Sequence, residues 1–543
     1  MNKTYTKCII EKKTASLSNC MPPVLLKKIK ENPLAYLVNK TTVMIQEQNG
    51  TNMTVPTSAG QQTNAYAHIQ VSSEIGTLRR LLIHSPDRGL GKVVPSKAQD
   101  WLFEDIVHLD MMRRDEYDYY VKLLLYFLDP DKVRGQIADL GPDSDRNFFK
   151  PDHPAYFRSD KVIDIQSLLA DILTNETTRI RLIAAICGIE RTSFQTQQQL
   201  SQYDSIELAK IMISGSLPDL TMLFAPLPNF IFTRDIGIVI NDHILLNKPA
   251  KPARTREALL AQYIFFNHPL FADYWDKILE IPDNEHAFLL PDADIHRDLT
   301  RSTLEGGDVM MIAKRHLLVG VSERTTLYAA QQVMRLVFDK NLVDKVTIIK
   351  IPKKRDFMHI DTVFTQVKRN VWVLLGSLAR TGDEAKQRDV IHFFAPTDLS
   401  EDLKILQFHN GQEQKPVVID NLEDLLLNIS EQDLGVSEPV QFIYSGNNEF
   451  PFGAREQWTD SCNLLALKDG VVIGYDRNLK TADAFRAAGF EVIGAANLLD
   501  RFERGESSPE TVENTFIMLP SAELSRARGG SHCMSLPLWR DEI

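Results

Sequence analysis

From about Phe224 onward, short apolar runs alternate with helical patterns and with Gly or Pro turns, and this alternation confines the chain to an α/β fold. Ile236 to Ile240, Leu317 to Val321, Val346 to Ile351, Val371 to Leu375 and Val471 to Tyr475 each read as a strand too short for a helix. The same pattern begins earlier. Leu78 to His84 reads as a strand closed by the turn Ser85-Pro86-Asp87, about Glu104 to Phe127 as a helix, and Val162 to Ile165 as a short strand. Between about Ser167 and Gly215 the spacing is helical, with Leu169, Ile172 and Leu173 on one face, then Ile180, Ile183 and Cys187. Direct signs that the strand–helix units copy one another are weak. Pro130 to about Ser159 reads as a long loop, and about Pro282 to Arg301 and Asp398 to Glu438 as insertions or long loops.

Ahead of this pattern, residues 1–66 read as a flexible leader. Lysines are scattered there, acidic residues are few, and Gln46 to Asn64 is rich in Thr, Asn, Gln and Gly, so little apolar surface offsets the entropy of ordering. The net charge of -11 argues against a nucleic-acid partner, which calls for a basic face. Five cysteines, an odd and sparse set, make no disulfide framework and no zinc-ribbon spacing; a reducing, cytoplasmic setting fits. No stretch of about 18 apolar residues predicts a membrane span.

Four segments could carry chemistry. Pro228-Asn229-Phe230-Ile231-Phe232-Thr233-Arg234-Asp235 sets a carboxylate at the end of an apolar strand; Leu304-Glu305-Gly306-Gly307-Asp308 flanks a glycine pair with two carboxylates. Taken singly, each is better read as a turn. Met358-His359-Ile360-Asp361, if extended, projects His359 and Asp361 to the same side. Arg526-Ala527-Arg528-Gly529-Gly530-Ser531-His532-Cys533 places a thiol after a cationic, glycine-rich turn that favours thiolate, although a lone Cys is more often a small buried apolar residue. Together they describe one task. A planar guanidinium calls for paired carboxylates, and breaking its C–N bond calls for a nucleophile and an acid. Asp235 and Asp361 supply the first, Cys533 the second and His359 the third.

These segments, with S-E-R-T, A-R-E-Q-W and Y-D-R-N between them, resemble in order the arginine deiminases of the guanidino-group-modifying superfamily, from about Ser72 to Ile543. The resemblance implies a five-bladed, pseudo-fivefold α/β propeller with an inserted small helical domain. It divides the chain into the leader, a first propeller part over 67–165, the helical insert over 166–222 and the remaining propeller over 223–543. It implies hydrolysis of free L-arginine to L-citrulline and ammonia through an S-alkylthiouronium on Cys533, with His359 as acid and base. Glu305 then supports guanidinium and imidazole, Arg254 and Arg324 hold the substrate carboxylate, Asn229, Phe232 and Asp308 contact substrate, and Arg528 is a mobile-loop arginine near the nucleophile.

Substrate and water are the partners expected, with no metal, no cofactor and no membrane, in a homo-oligomer of unspecified order. The sequence departs from the family pattern at Ala527, where glycine is usual and left-handed backbone would be hindered, and at Ile236, where proline is common. The rival readings are an agmatine or methylarginine hydrolase, an amidinotransferase, a non-catalytic arginine sensor, and a metalloenzyme built on His359, Asp361, Glu305 and Asp235.

Overall fold

Five small sheets share one plan: a strand pairs antiparallel with the next, helix follows, and the chain returns in a strand parallel to the second. The computed structural model describes residues 68–135 apart from 99, 102 and 104, then 147–282, 302–379 and 403–543. In the first sheet the C-terminal strand Leu536–Arg540 pairs antiparallel with Leu78–Ile83, which runs parallel to Val162–Asp164 with Leu81 opposite Val162. The second holds Gly237–Ile240, His243–Leu246 and Ile278–Leu279. The third begins with Val309–Ala313, His316–Val321 and Lys345–Lys350. Phe364–Lys368, Val371–Leu374 and Gln441–Tyr444 make the fourth. In the fifth, Leu465–Lys468 and Val471–Tyr475 pair antiparallel, Thr515–Leu519 follows in parallel, and Glu491–Gly494 flanks it.

Physical causes follow from burial. Every residue of His316–Val321 and of Val471–Tyr475 is buried, so these strands are continuous apolar runs rather than alternating ones. The crossover helix Leu327–Asp339 buries Ala329, Ala330, Val333, Met334, Val337 and Phe338, a spacing of three and four that puts one face on the sheet.

Between the first and second sheets come four helices, Ile165–Ile172, Glu176–Ile189, Phe194–Leu200 and Ser205–Ser214. Side chains of Asp164, Asn175, Ser193 and Asp204 each accept a backbone N–H at a helix start. Gly215 ends the last helix with φ +72°, where a Cβ would lie 2.4 Å from the Phe224 carbonyl oxygen.

Several expectations shift. The helix expected from Glu104 starts at Leu109, where the His108 ring accepts the Met111 N–H, and it runs to Leu128 through a π-helical stretch over Met112–Tyr117. Ile236 belongs to a 3₁₀ turn, not to the strand. The polar stretch 398–438 is not a loop in its described part. Lys404–His409 and Val417–Ile419 extend the third sheet to five strands, and the helix Leu422–Asn428 follows. That addition is half-exposed, which explains its polarity. The leader, 136–146 of the expected loop and 283–301 lie outside the described residues. Among the described residues no helix is long and apolar enough to cross a membrane.

Candidate active site

Every one of the five sheets is entered through a short turn, and those turns supply one pocket. The 3₁₀ turns Pro228–Ile231 and Thr233–Ile236 precede the second sheet, Gly306–Asp308 the third and Ile360–Thr362 the fourth. Residues 459–463 precede the fifth, and 529–535 lead into the C-terminal strand of the first. A single pocket, with about 450 Å³ of empty volume, is lined by Asn229, Phe232, Asp235, Arg254, Glu305 and Arg324, and on its other side by His359, Asp460, Arg528 and Cys533.

Two corrections concern local structure. Asp235 ends no strand, and His359 and Asp361 are not on one; turns aim all three. Glycines permit the close approach. A Cβ on Gly307 would lie 2.5 Å from His359 Nδ1, and one on Gly529 would lie 2.3 Å from the Phe232 ring.

The first wall is densely paired. Arg254 Nη1 lies 2.9 Å from Asp235 Oδ2 and 3.1 Å from Glu305 Oε2, while its Nε donates to both oxygens of Glu257 at 3.2 Å. His359 Nε2 lies 3.0 Å from Glu305 Oε2. Burial alone would lower the imidazole, but Asp235, the Glu305 hydrogen bond and Asp308 outweigh it and raise His359 to about 10. Burial would likewise raise Glu305, yet Arg254, Arg324 and His359 hold it well below the usual carboxylate range. Arg324 Nη1 sits 3.8 Å from Glu305 Oε1.

Around the sulfur the balance reverses. Burial, Asp361, Asp235 and Asp460 all push the Cys533 thiol well above its ordinary value, against the hydrogen bond with Asn463. Sγ lies 3.6 Å from Asp361 Oδ2, and Asn463 Oδ1 accepts the Cys533 N–H at 3.1 Å. Burial would raise Asp361 too, but His532, whose Nδ1 lies 2.9 Å from Oδ2, brings it below its ordinary value. Its Oδ1 has no hydrogen-bond partner among the described residues.

Asp235, Glu305 and His359 place ligand atoms within 4.8 Å of one another, a spacing a cation could use; the Arg254 guanidinium already bridges the two carboxylates there.

Residues 195–540 match the model of the arginine deiminase family, more than half of the chain. The chain belongs to the arginine deiminase family. It is 28% identical over 484 residues to an arginine deiminase of Staphylococcus aureus strain MRSA252, covering 88% of this chain and 99% of the relative. Identity is also 28% over 480 residues to an arginine deiminase of Borrelia garinii subsp. bavariensis, covering 88% and 98%. Among solved structures, an amidinotransferase of the saxitoxin pathway from Microseira wollei gives TM-score 0.42 at 12% identity, covering 88% of this chain and 98% of that one. A mutant dimethylarginine dimethylaminohydrolase from Pseudomonas aeruginosa, complexed with citrulline, gives 0.38 at 10%, covering 85% and 99%.

Within this arginine deiminase-family chain other residues of the remaining motifs hold the pocket, although Arg324 of S-E-R-T also lines it. Thr325 Oγ1 of S-E-R-T accepts the Glu305 N–H at 3.2 Å. Gln457 of A-R-E-Q-W donates to the Asp356 and Thr362 carbonyls on either side of His359. Tyr475 of Y-D-R-N donates to the Gly529 carbonyl at 2.6 Å, pinning the chain ahead of Cys533. Asp308 differs from its expected place. It is fully buried outside the pocket, accepting from Ser322 Oγ at 2.6 Å and the Ile360 N–H at 3.0 Å, so it fixes the turn carrying Asp361.

Ala527 sits in the 3₁₀ turn Leu524–Ala527, and the left-handed residue is Arg528 at φ +62°, so the missing glycine costs nothing there. Arg528 stacks on the Trp458 ring at 3.8 Å and donates to the Trp458 carbonyl. Asn229 donates to the Trp101 carbonyl at 2.8 Å. Sequence reading missed Asp460, Asn463 and His532; His532 stands beside Cys533 in a segment already quoted, and Asp460 and Asn463 follow A-R-E-Q-W by two and five residues.

Proposed function

We propose that the chain hydrolyses free L-arginine to L-citrulline and ammonia, with Cys533 as nucleophile. The observation that carries this reading is the meeting of Cys533 and the His359–Glu305 pair, with Asp235 and Arg324, around one pocket, with Asp361 buried behind the lining 3.6 Å from the sulfur. The proposal includes a five-bladed arrangement of the five sheets around that pocket, with the helices between residues 165 and 214 as the inserted domain.

The guanidinium lies between Asp235 and Asp361, whose Oδ1 is unengaged. Arg324 takes the carboxylate. Arg254 joins it by turning away from Asp235 and Glu305 while keeping Glu257, and Asn229 and Phe232 line the substrate stem. The incoming cation offsets the acids that keep Cys533 a thiol. Sulfur attacks the guanidinium carbon, the S–C bond forms, and one C–N bond breaks. His359, protonated at neutral pH, gives its proton to the departing nitrogen and then relays the thiol's proton to the ammonia, so ammonium leaves and a cationic S-alkylthiouronium and a neutral imidazole remain. Neutral His359 then takes a proton from water as oxygen attacks the same carbon; the C–S bond breaks, citrulline forms and the thiol is restored.

Incubation of the purified protein with L-arginine, agmatine and methylated arginines, with ureido product and ammonia measured, tests the assignment. L-Arginine alone should yield both in equal amounts. Equal turnover of agmatine would overturn the carboxylate role of Arg324 and Arg254. Ureido product absent from every incubation would overturn the hydrolase reading.

A further inference from the structure

Each sheet contributes one conspicuous residue from the turn that enters it: Asp235, Glu305, Asp361 and Cys533 from four of them, and Asp460 from the fifth. The first four have roles in the reaction proposed above; Asp460 has none. It is 2% exposed, and beyond the Gly529 N–H, which draws its carboxyl down, neither of its oxygens has a hydrogen-bond partner among the described residues. Its backbone is left-handed, φ +63°, a conformation that costs a non-glycine residue free energy. A buried carboxylate with most of its acceptor capacity unused and a strained backbone at one position both weaken the fold, so a ligand-bound role is the economical explanation.

The chemistry of the missing partner is narrow. Two buried carboxylate oxygens call for a cation with several N–H donors. Burial pushes the Asp460 carboxyl up to about 7, with Asp361 pushing the same way and Arg528 and the Gly529 N–H pulling it down. Asp460 also raises Cys533, so it lies within electrostatic reach of the sulfur. The guanidinium end of the substrate is already matched by Asp235 and Asp361. Arg324, in the same pocket, is matched to a carboxylate.

We propose that Asp460 is a specificity-determining residue that accepts the α-ammonium of the substrate, so that the pocket reads a zwitterionic amino-acid head with arginine for its anion and Asp460 for its cation. This deepens, and rests on, the reading that L-arginine is the substrate. A site built to pair a buried charge rejects an analogue lacking that charge, because the site's own charge is then stranded.

The test compares kcat/KM for L-arginine and for 5-guanidinopentanoate, which keeps the guanidinium, chain and carboxylate but lacks the amine. The wild-type enzyme should prefer L-arginine by on the order of 10² or more. Asp460→Asn should lower kcat/KM for L-arginine by about 10²-fold and change that for 5-guanidinopentanoate by less than about threefold, collapsing the preference. An equal fall for both substrates would assign Asp460 a structural role and overturn the proposal, as would an unchanged preference. A readout free of any variant is the wild-type preference as a function of pH. Protonation of Asp460 should make that preference fall by up to about tenfold per unit below about 7; a flat ratio overturns the proposal. If the wild type turns over L-arginine without preferring it, Asp460 alone loses its role; if it turns over neither, the reading beneath it fails as well.

Discussion

The two walls of the pocket settle their charges in opposite ways. On the wall of Asp235, Glu305, Glu257, Arg254 and His359, every carboxylate meets a guanidinium or an imidazole within 3.2 Å. On the wall of Cys533, Asp361 and Asp460, one oxygen of Asp361 goes without a hydrogen bond, Asp460 has only the Gly529 N–H among the described residues, and the thiol is held neutral. A buried charge with its partner removed costs several kcal/mol, whereas a fully paired cluster is self-sufficient. Under the proposed reaction the difference teaches where the substrate's charge belongs: the paired wall would hold the acid–base group in one protonation state, and the unpaired wall would receive a cation.

The largest effect should come from the paired wall. His359→Ala should lower kcat by roughly 10² to 10⁴, read in the ammonia assay. A loss under about tenfold would mean that the imidazole transfers no proton. Next is stability. Arg254→Met strands Asp235 and Glu257 and leaves Glu305 to His359 and Arg324, and should cost about 3–5 kcal/mol in denaturant unfolding. An unchanged midpoint would break the contrast between the walls.

The pH dependence sharpens it. His359 is raised to about 10 from an ordinary 6.5, so the imidazolium persists through neutrality. Its contribution to stability is complete below about 6.5 and is lost as pH rises through about 10. Turnover should fall through the same upper region as the acid is lost, and in a pH–rate profile a limb near 6.5 would contradict the Glu305 pairing.

The smallest effect belongs to the unpaired wall. Asp460 has its carboxyl raised to about 7, so its native state binds the proton more tightly than the unfolded chain, and stability declines as pH rises from about 4 to 7. Asp460→Asn removes that decline. The variant should melt about 1–3 °C above wild type at pH 8 and level with it near pH 4, by calorimetry. A variant that melts lower at pH 8 would show the carboxylate to be satisfied.

Much of this was legible in the sequence, for reasons that can be named. Strands such as Leu317 to Val321 are apolar throughout because both faces are covered, and residues 167–215 kept helical spacing because one face packs on the core. The residues proposed to react stood out as ionisable groups among apolar ones. Three things did not show. The common plan of the five sheets is carried by pairing, which leaves little trace when strands are two to six residues long. Lys404–His409 was hidden because its half-exposed residues alternate too weakly to signal a strand. Asp460 resembled an ordinary turn residue after the helix Phe452–Trp458, and its shortage of partners became visible only once the surrounding donors were located.

The most direct test of the central claim is rapid acid quench of enzyme mixed with L-arginine, followed by mass spectrometry of the peptide carrying Cys533. The account predicts a substrate-derived amidino adduct on that sulfur, formed at least as fast as ammonia appears and absent from Cys533→Ala, which should itself be inactive. Sustained citrulline formation by Cys533→Ala, or an adduct on another residue, would contradict it.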